Sequence, residues 1–215
     1  MNTTSFGPVK IHFFGHASVL LEYNGATFYI DPYVLPKNPR TANVILHTHS
    51  HADHCVLPSS INGSKTQVIS RGGKFPGMEI KIGETIKTNG AIIEAVHAYN
   101  LNKEFHPKGA GAGYIFTFPS AREPVKIYIA GDTDLIPEMG SYKCDVAILP
   151  IGGTYTMNAD EAAEAVAQIK PKVAIPYHYN YLEGTRANAQ EFASLAKTLS
   201  PSTIITILSA ESQLR

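Results

Sequence analysis

The sequence predicts an α/β fold of two packed sheets with helices outside. Three observations carry that expectation. Short β-like runs crowd the first 130 residues, while the two clear helical patterns come only after residue 157. Four separate apolar runs end in histidine or aspartate, which is useful only to a fold that gathers strand ends at one edge.

The chain has 215 residues, so one domain is expected. Its 18 basic and 18 acidic residues cancel, which gives no electrostatic case for nucleic acid or a membrane surface as partner. No apolar stretch approaches the roughly 18–20 residues of a membrane span. The start, MNTTSFGPVK, lacks the charged and apolar regions of a signal peptide. Two cysteines, Cys55 and Cys144, make no disulfide framework, so a reducing cytoplasm is the expected location. The expected partner is a small molecule, with a homo-oligomer left open.

Val9 to Phe14, Ser18 to Tyr23 and Ala26 to Ile30 read as an antiparallel meander. Asn24-Gly25 between the last two suits a type I′ turn, whose central positions both need positive φ. Asp31-Pro32 stops that sheet, and the prolines of residues 31 to 42 mark a loop. Val44 to His47 reads as a buried strand, Ala52 to Ser60 as a short helix broken at Pro58, and Gln67 to Ser70 as a brief strand. Residues 71 to 77 are turn-rich. Glu79 to Lys87 and Ala91 to Val96 read as strands around the Thr88-Asn89-Gly90 turn. Residues 98 to 112 form a loop long enough to be functional. Tyr114 to Phe118, Val125 to Ala130 and Val146 to Ile151 are further strands. Asn158 and Glu161 form a capping box for a first helix, whose Ala162, Ala165, Val166 and Ile169 share one face. Val173 to Pro176 is a strand, Asn188 to Leu199 a second helix, and Ile204 to Leu208 a last strand.

The chemistry lies where strands end. His49, His51, Asp53 and His54 follow Val44-Ile45-Leu46; His97, Asp132 and His178 each follow an apolar run of their own. So many imidazoles packed together need partners. Imidazole and carboxylate donors bind zinc at about 2.0–2.2 Å, and catalytic sites leave a position open for water. Five histidines and two aspartates are too many for one tetrahedral ion and suit two ions sharing a carboxylate.

The stretch Thr48 to His54, THSHADH, matches the HxHxDH signature of the metallo-β-lactamase superfamily, and His97, Asp132 in GDTD and His178 in PYH follow in that superfamily's order. The chain resembles this family over nearly its whole length. The resemblance implies the αββα sandwich of the metallo-β-lactamase type. It implies His49, His51 and His97 on one metal, Asp53, His54 and His178 on a second, and Asp132 bridging. The runs at 98–109, 129–139 and 149–166 are similar to a branch of metal-dependent hydrolases that includes sugar-phosphate lactonases. The implied cofactor is a pair of divalent ions, zinc first, with manganese, iron or nickel open. Such a pair lowers the pKa of a bound water from ~15.7 to near 7. The resulting hydroxide would attack a small ester or lactone, phosphorylated or not; a small phosphodiester is the alternative. Asp53 and Asp132 are the candidate catalytic carboxylates.

Neighbouring residues carry further expectations. His106 and Lys108, with Lys103, are placed in the long loop to bind a substrate anion. His16, in Gly15-His16-Ala17, is expected to touch substrate or support the metals. Tyr155, after Gly152-Gly153, could donate a hydrogen bond to substrate. His47 is expected to be an ordinary hydrogen-bonded core histidine, and Cys55 to be packing. Some of Tyr177, Tyr179 and Tyr181 are expected to line the cleft. A di-iron redox protein of this superfamily would carry Glu in place of His51 and a flavin domain. Its nucleases add a clamp or basic arm, and its glyoxalase-type thioesterases a C-terminal helical domain. None of these features is in the sequence.

Overall fold

The computed structural model describes residues 1–72 and 74–210. The first of two seven-stranded sheets runs, in chain order, β1 (Thr3–Phe6), β2 (Val9–Gly15), β3 (Ser18–Tyr23), β4 (Ala26–Ile30), β5 (Val44–His47), β6 (Gln67–Ser70) and β7 (Met78–Glu79). The second runs β8 (Thr85–Thr88), β9 (Ala91–Ala98), β10 (Gly111–Phe118), β11 (Val125–Ile129), β12 (Val146–Pro150), β13 (Val173–Tyr177) and β14 (Ile204–Ile205). Each sheet has one plan. Antiparallel pairing from β1 to β4 gives way to parallel pairing from β4 to β7. Antiparallel pairing from β8 to β11 gives way to parallel pairing from β11 to β14.

That plan aims the strands. β2, β4 and β5 run in one direction, and so do β9, β11 and β13, so the residues after each set lie at one sheet edge. Ligand sites in α/β sheets form outside the carboxyl ends of parallel strands. Here those ends are His16, Asp31 and Thr48 onward in one sheet, and Asp132 and His178 in the other.

Alternation builds the layers. Val9, Ile11 and Phe13 of β2 point between the sheets and meet Phe28, Phe116, Ile127 and Ile148 there. Every residue of β12 is buried, as expected of a central parallel strand covered on both faces. Helices α1 (Ala159–Ile169) and α2 (Ala189–Leu199) pack on the outer face of the second sheet, with Ala162, Ala165, Val166 and Phe192 in that layer. The Asn158–Glu161 capping box forms in both directions and starts α1.

The predicted helix at residues 52–60 is a series of turns. The first sheet's outer face is therefore covered by loop residues Val34, Ala42 and Ile61. The predicted strand 79–87 divides between the two sheets: β7 ends at Glu79, and β8 starts at Thr85 after a turn. β1 has no counterpart in the expectations from sequence; it pairs with β2 through the turn at Gly7.

Candidate metal centre

Three overlapping groups of potential ligands stand at the shared edge. They are His16, Asp53, His54 and His178; His49, His51 and His106; and His49, His54 and Asp132. Within each group the ligand atoms lie within 4.8 Å of one another. The third group joins the other two, so the donors form one continuous cluster around Asp132.

Local structure explains how each donor is aimed. His49, His51, Asp53 and His54 follow β5 through a tight turn in which Cys55 N–H donates to His51 O at 2.8 Å. Asp132 follows β11 through Gly131, whose φ of +68° and clearance allow the turn; a Cβ there would lie 2.8 Å from Ala112 O. His178 follows β13 in the left-handed region at φ +55°, and its N–H donates to His16 O at 2.8 Å. His16 (φ +49°) and Asp31 (φ +46°) share that strained backbone. Three non-glycine residues in this conformation at one edge store of the order of 1–3 kcal/mol each, which the surrounding packing must hold.

The hydrogen bonds show which ring nitrogen is free. Asp31, fully buried, accepts from Thr48 N–H at 2.8 Å, Thr48 Oγ1 at 2.6 Å and His54 Nδ1 at 2.8 Å. Thr48 Oγ1 thus spends its proton on Asp31 and can accept from His49 Nδ1 at 3.0 Å. His106 Nδ1 donates to Asn100 Oδ1 at 3.0 Å. Nδ1 is held as donor in all three rings, which leaves the lone pair on Nε2 of the neutral His49 and His106, while His54 Nε2 faces His178 Nε2 at 3.4 Å and Asp132 Oδ2 at 3.5 Å. Among the described residues, His49 Nε2, His106 Nε2 and Asp132 Oδ1 are buried with no hydrogen-bond partner. Orphaned buried acceptors are costly, and a cation placed among them would satisfy them. The residues present therefore fit a metal ion, with the carboxylate–imidazole backing usual for metal-ligating histidines.

The electrostatics make His49 and His106 neutral donors and favour a protonated His54, whose Nε2 proton a bound cation would replace. Burial holds His49 well below its ordinary pKa and lowers His106, so both rings are neutral donors. Burial opposes a charge on His54 too, but Asp132 and Asp31 beside it raise it to about 9. Burial would raise Asp132, yet His178 and His54 hold it well below the carboxylate range. Asp53 is likewise held low against burial, chiefly by the 2.8 Å hydrogen bond from His16. His16 itself is lowered by burial.

The expected residues divide. His49, His51, Asp53, His54, Asp132 and His178 come together. His97 does not: among the described residues it belongs to none of the donor groups. The physical reason is that β9 does not end at His97 but runs on through Ala98, which pairs with Gly111 of β10. His97 stays in that ladder, half-buried beside Tyr99 and Tyr142. The chain reaches the cluster only after the following loop, with His106, whose ring lies 4.9 Å from both His49 and His51. His106 thus stands among the metal-type donors and not in an anion-binding loop. Lys108 turns away to Glu138 at 2.8 Å and lies over the Tyr99 ring. Lys103 pairs with Asp134 at 2.7 Å and donates to Thr156 O. His16 backs Asp53 and packs on His178 at 4.3 Å. Tyr155 lines the cavity in front of the cluster. His47 is an ordinary core histidine, bonded to Ser70 Oγ and Val56 O, and Cys55 is buried. Gly152 makes room for the chain itself, since a Cβ there would lie 2.5 Å from His178 O.

Three supporting residues were not anticipated: Asp31, Asn100 and Asp134. Asp31 was signalled, because it ends an apolar run as Asp132 does. Asp134 accepts from Asn100 Nδ2, Leu101 N–H and Lys103 Nζ, and so ties down the loop that carries His106.

Residues 10–178 match the Beta-lactamase superfamily domain. A "UPF0173 metal-dependent hydrolase" of Caldivirga maquilingensis is 34% identical over 209 residues, covering 87% of this chain and 89% of the relative. Another, from Thermoplasma acidophilum, is 33% identical over 92% of this chain and 95% of its own. Among solved structures, Igni18, a metallo hydrolase from Ignicoccus hospitalis, superposes with a TM-score of 0.75 at 26% identity, covering 96% of this chain and 97% of that one. The likeness thus runs through the cluster and the sheets that hold it: the chain belongs to the metallo-β-lactamase superfamily and, within it, to the UPF0173 metal-dependent hydrolases.

Proposed function

We propose that the protein hydrolyses a small ester or lactone at a centre of two divalent cations. His49, His51 and His106 would hold one, Asp53, His54 and His178 the other, and Asp132 both. The observation that carries this is the set of buried, unpartnered acceptors on His49, His106 and Asp132, in a cluster too rich in donors for one ion. Bound divalent cations supply Lewis acidity, which makes water more acidic and polarises a carbonyl or phosphoryl oxygen. The protein's own groups do the rest. Asp31, Thr48 and Asn100 engage Nδ1 of three imidazoles, so that Nε2 is the nitrogen left to bind a cation. Asp53 borders the cavity and is kept ionised by His16, so it can accept a hydrogen bond from the attacking water and orient it.

Metal analysis and a substrate screen test this. Purified protein should carry two equivalents of metal, His106→Ala about one, and His97→Ala two. Lactones and esters should turn over faster than phosphodiesters, and Asp132→Ala should abolish activity. Fewer than two equivalents in the wild type, with Asp132→Ala fully active, refutes the two-cation centre.

A further inference from the structure

We propose that the non-reacting part of the substrate is flat, apolar and uncharged, and that it lies against Phe105, Tyr155 and Leu182. This rests on the reading of the cavity as the hydrolytic site, and it names what that site selects. The cavity has a volume of about 250 Å³ and is lined by those three residues together with His51, Asp53, His106, Asp132 and His178. That is small for a ligand pocket. It admits one small ring and a reacting ester group.

Among the described residues, the lining contains no lysine or arginine. The nearby loop has two lysines, but both are committed elsewhere: Lys103 to Asp134 and Thr156 O, Lys108 to Glu138. A phosphate or carboxylate at a distance from the reacting bond would find no cationic side chain in this lining. What the wall offers is apolar. Phe105 is 46% exposed, although it is a large hydrophobic residue beside a polar cluster. Its ring meets Tyr155 edge-on at 4.8 Å. Such a pair presents a T-shaped surface on which a third ring can pack.

The position is also fixed. Phe105 precedes His106, whose N–H and Nδ1 both donate to Asn100 Oδ1. Asn100 in turn donates to Asp134 and to Tyr155 O, which ties the two aromatic residues to one bracket. An apolar wall held this rigidly beside the cluster is a preorganised binding surface.

The test uses metal-loaded protein and three lactones sharing one six-membered ring. δ-Valerolactone is the bare ring, dihydrocoumarin adds a fused benzene, and 6-phosphogluconolactone adds a phosphorylated tail. In each case water adds to the carbonyl carbon, the ring C–O bond breaks, and a proton from the water ends on the released oxygen. The readout is the ratio of kcat/KM between lactones, compared between wild type and Phe105→Ala, so intrinsic reactivity cancels. Phe105 is exposed, so the variant should fold. Phe105→Ala should lower the dihydrocoumarin-to-valerolactone ratio by at least about tenfold, which is about 1.4 kcal/mol. An unchanged ratio overturns the proposal, as does a wild-type preference for the phosphorylated lactone over δ-valerolactone that exceeds the ratio of their uncatalysed hydrolysis rates. If no lactone or ester is hydrolysed, the hydrolase reading fails separately. Calorimetric binding of dihydrocoumarin and δ-valerolactone then decides the apolar wall, and equal affinity for the two overturns it.

Discussion

Asp31→Asn is the most informative perturbation of the centre, because it preserves shape and changes only the buried charge and which groups donate. The carboxylate accepts three hydrogen bonds, with Oδ1 taking Thr48 N–H and Oδ2 taking Thr48 Oγ1 and His54 Nδ1. An amide has one acceptor oxygen. If it occupies the Oδ1 place, His54 Nδ1–H faces an NH₂ group. The imidazole must then move its proton to Nε2, the atom that faces Asp132 at 3.5 Å. If the oxygen takes the Oδ2 place, the buried Thr48 N–H is orphaned instead. Either outcome loses a hydrogen bond to a charged group, worth about 1.5–3 kcal/mol. Substitution of residues that back a metal-ligating histidine weakens metal binding by about 10–100-fold. The assay is competition between the protein and a chromophoric chelator for zinc, followed to saturation. The cation held by His54 should weaken by about 10–100-fold, with the other less affected. Two affinities within about twofold of wild type would refute both the tautomer argument and the assigned role of Asp31.

Two further outcomes are expected. Lys103→Met removes the 2.7 Å ion pair to Asp134 and leaves that buried carboxylate with only Asn100 and Leu101 N–H as donors. Stability should fall by about 1–3 kcal/mol, and amide hydrogen exchange should quicken across residues 99–110; unchanged exchange there would show that Asp134 does not tie down the loop. Burial pushes the Cys144 thiol up to about 12. Unfolding releases it to an ordinary value near 8.5, so between these limits the unfolded chain binds fewer protons and stability falls as pH rises. The stability advantage of wild type over Cys144→Ala should therefore shrink above pH ~9 by up to about 1.4 kcal/mol per pH unit. Urea midpoints at pH 8 and 10.5 measure it, and a constant difference would contradict the shift.

The sequence made the fold legible because its signals were local and repeated. The Asn24-Gly25 turn has positive φ at both positions, and the capping box at Asn158 forms as its spacing suggests. The gathering of the donors was legible wherever one closely follows a strand of the parallel half, as at His49, Asp132 and His178. It failed at His97, where the end of an apolar run was taken for the end of a strand. Nothing local distinguishes Val96 followed by a free His97 from a ladder that continues to Ala98. His106 was obscured for the converse reason: the bracket of Asn100, Asp134 and Lys103 that places it spans residues far apart in sequence. The two loop lysines looked available for a substrate anion because their partners Glu138 and Asp134 lie some thirty residues downstream.

The order in which the donors occur along the chain has a consequence for biosynthesis. His49 to His54 leave the ribosome early and could trap a cation on a chain that cannot yet fold. His178, which hydrogen-bonds back to His16, arrives only after both sheets are nearly complete. A cation held by the early donors in the unfolded chain gains nothing from the sandwich and lessens the stabilisation that metal confers on the native state. The full donor set exists only once β13, which His178 follows, has docked. The metal that the protein finally carries is then chosen by the folded site, and its loading can serve as a report that synthesis and packing are finished.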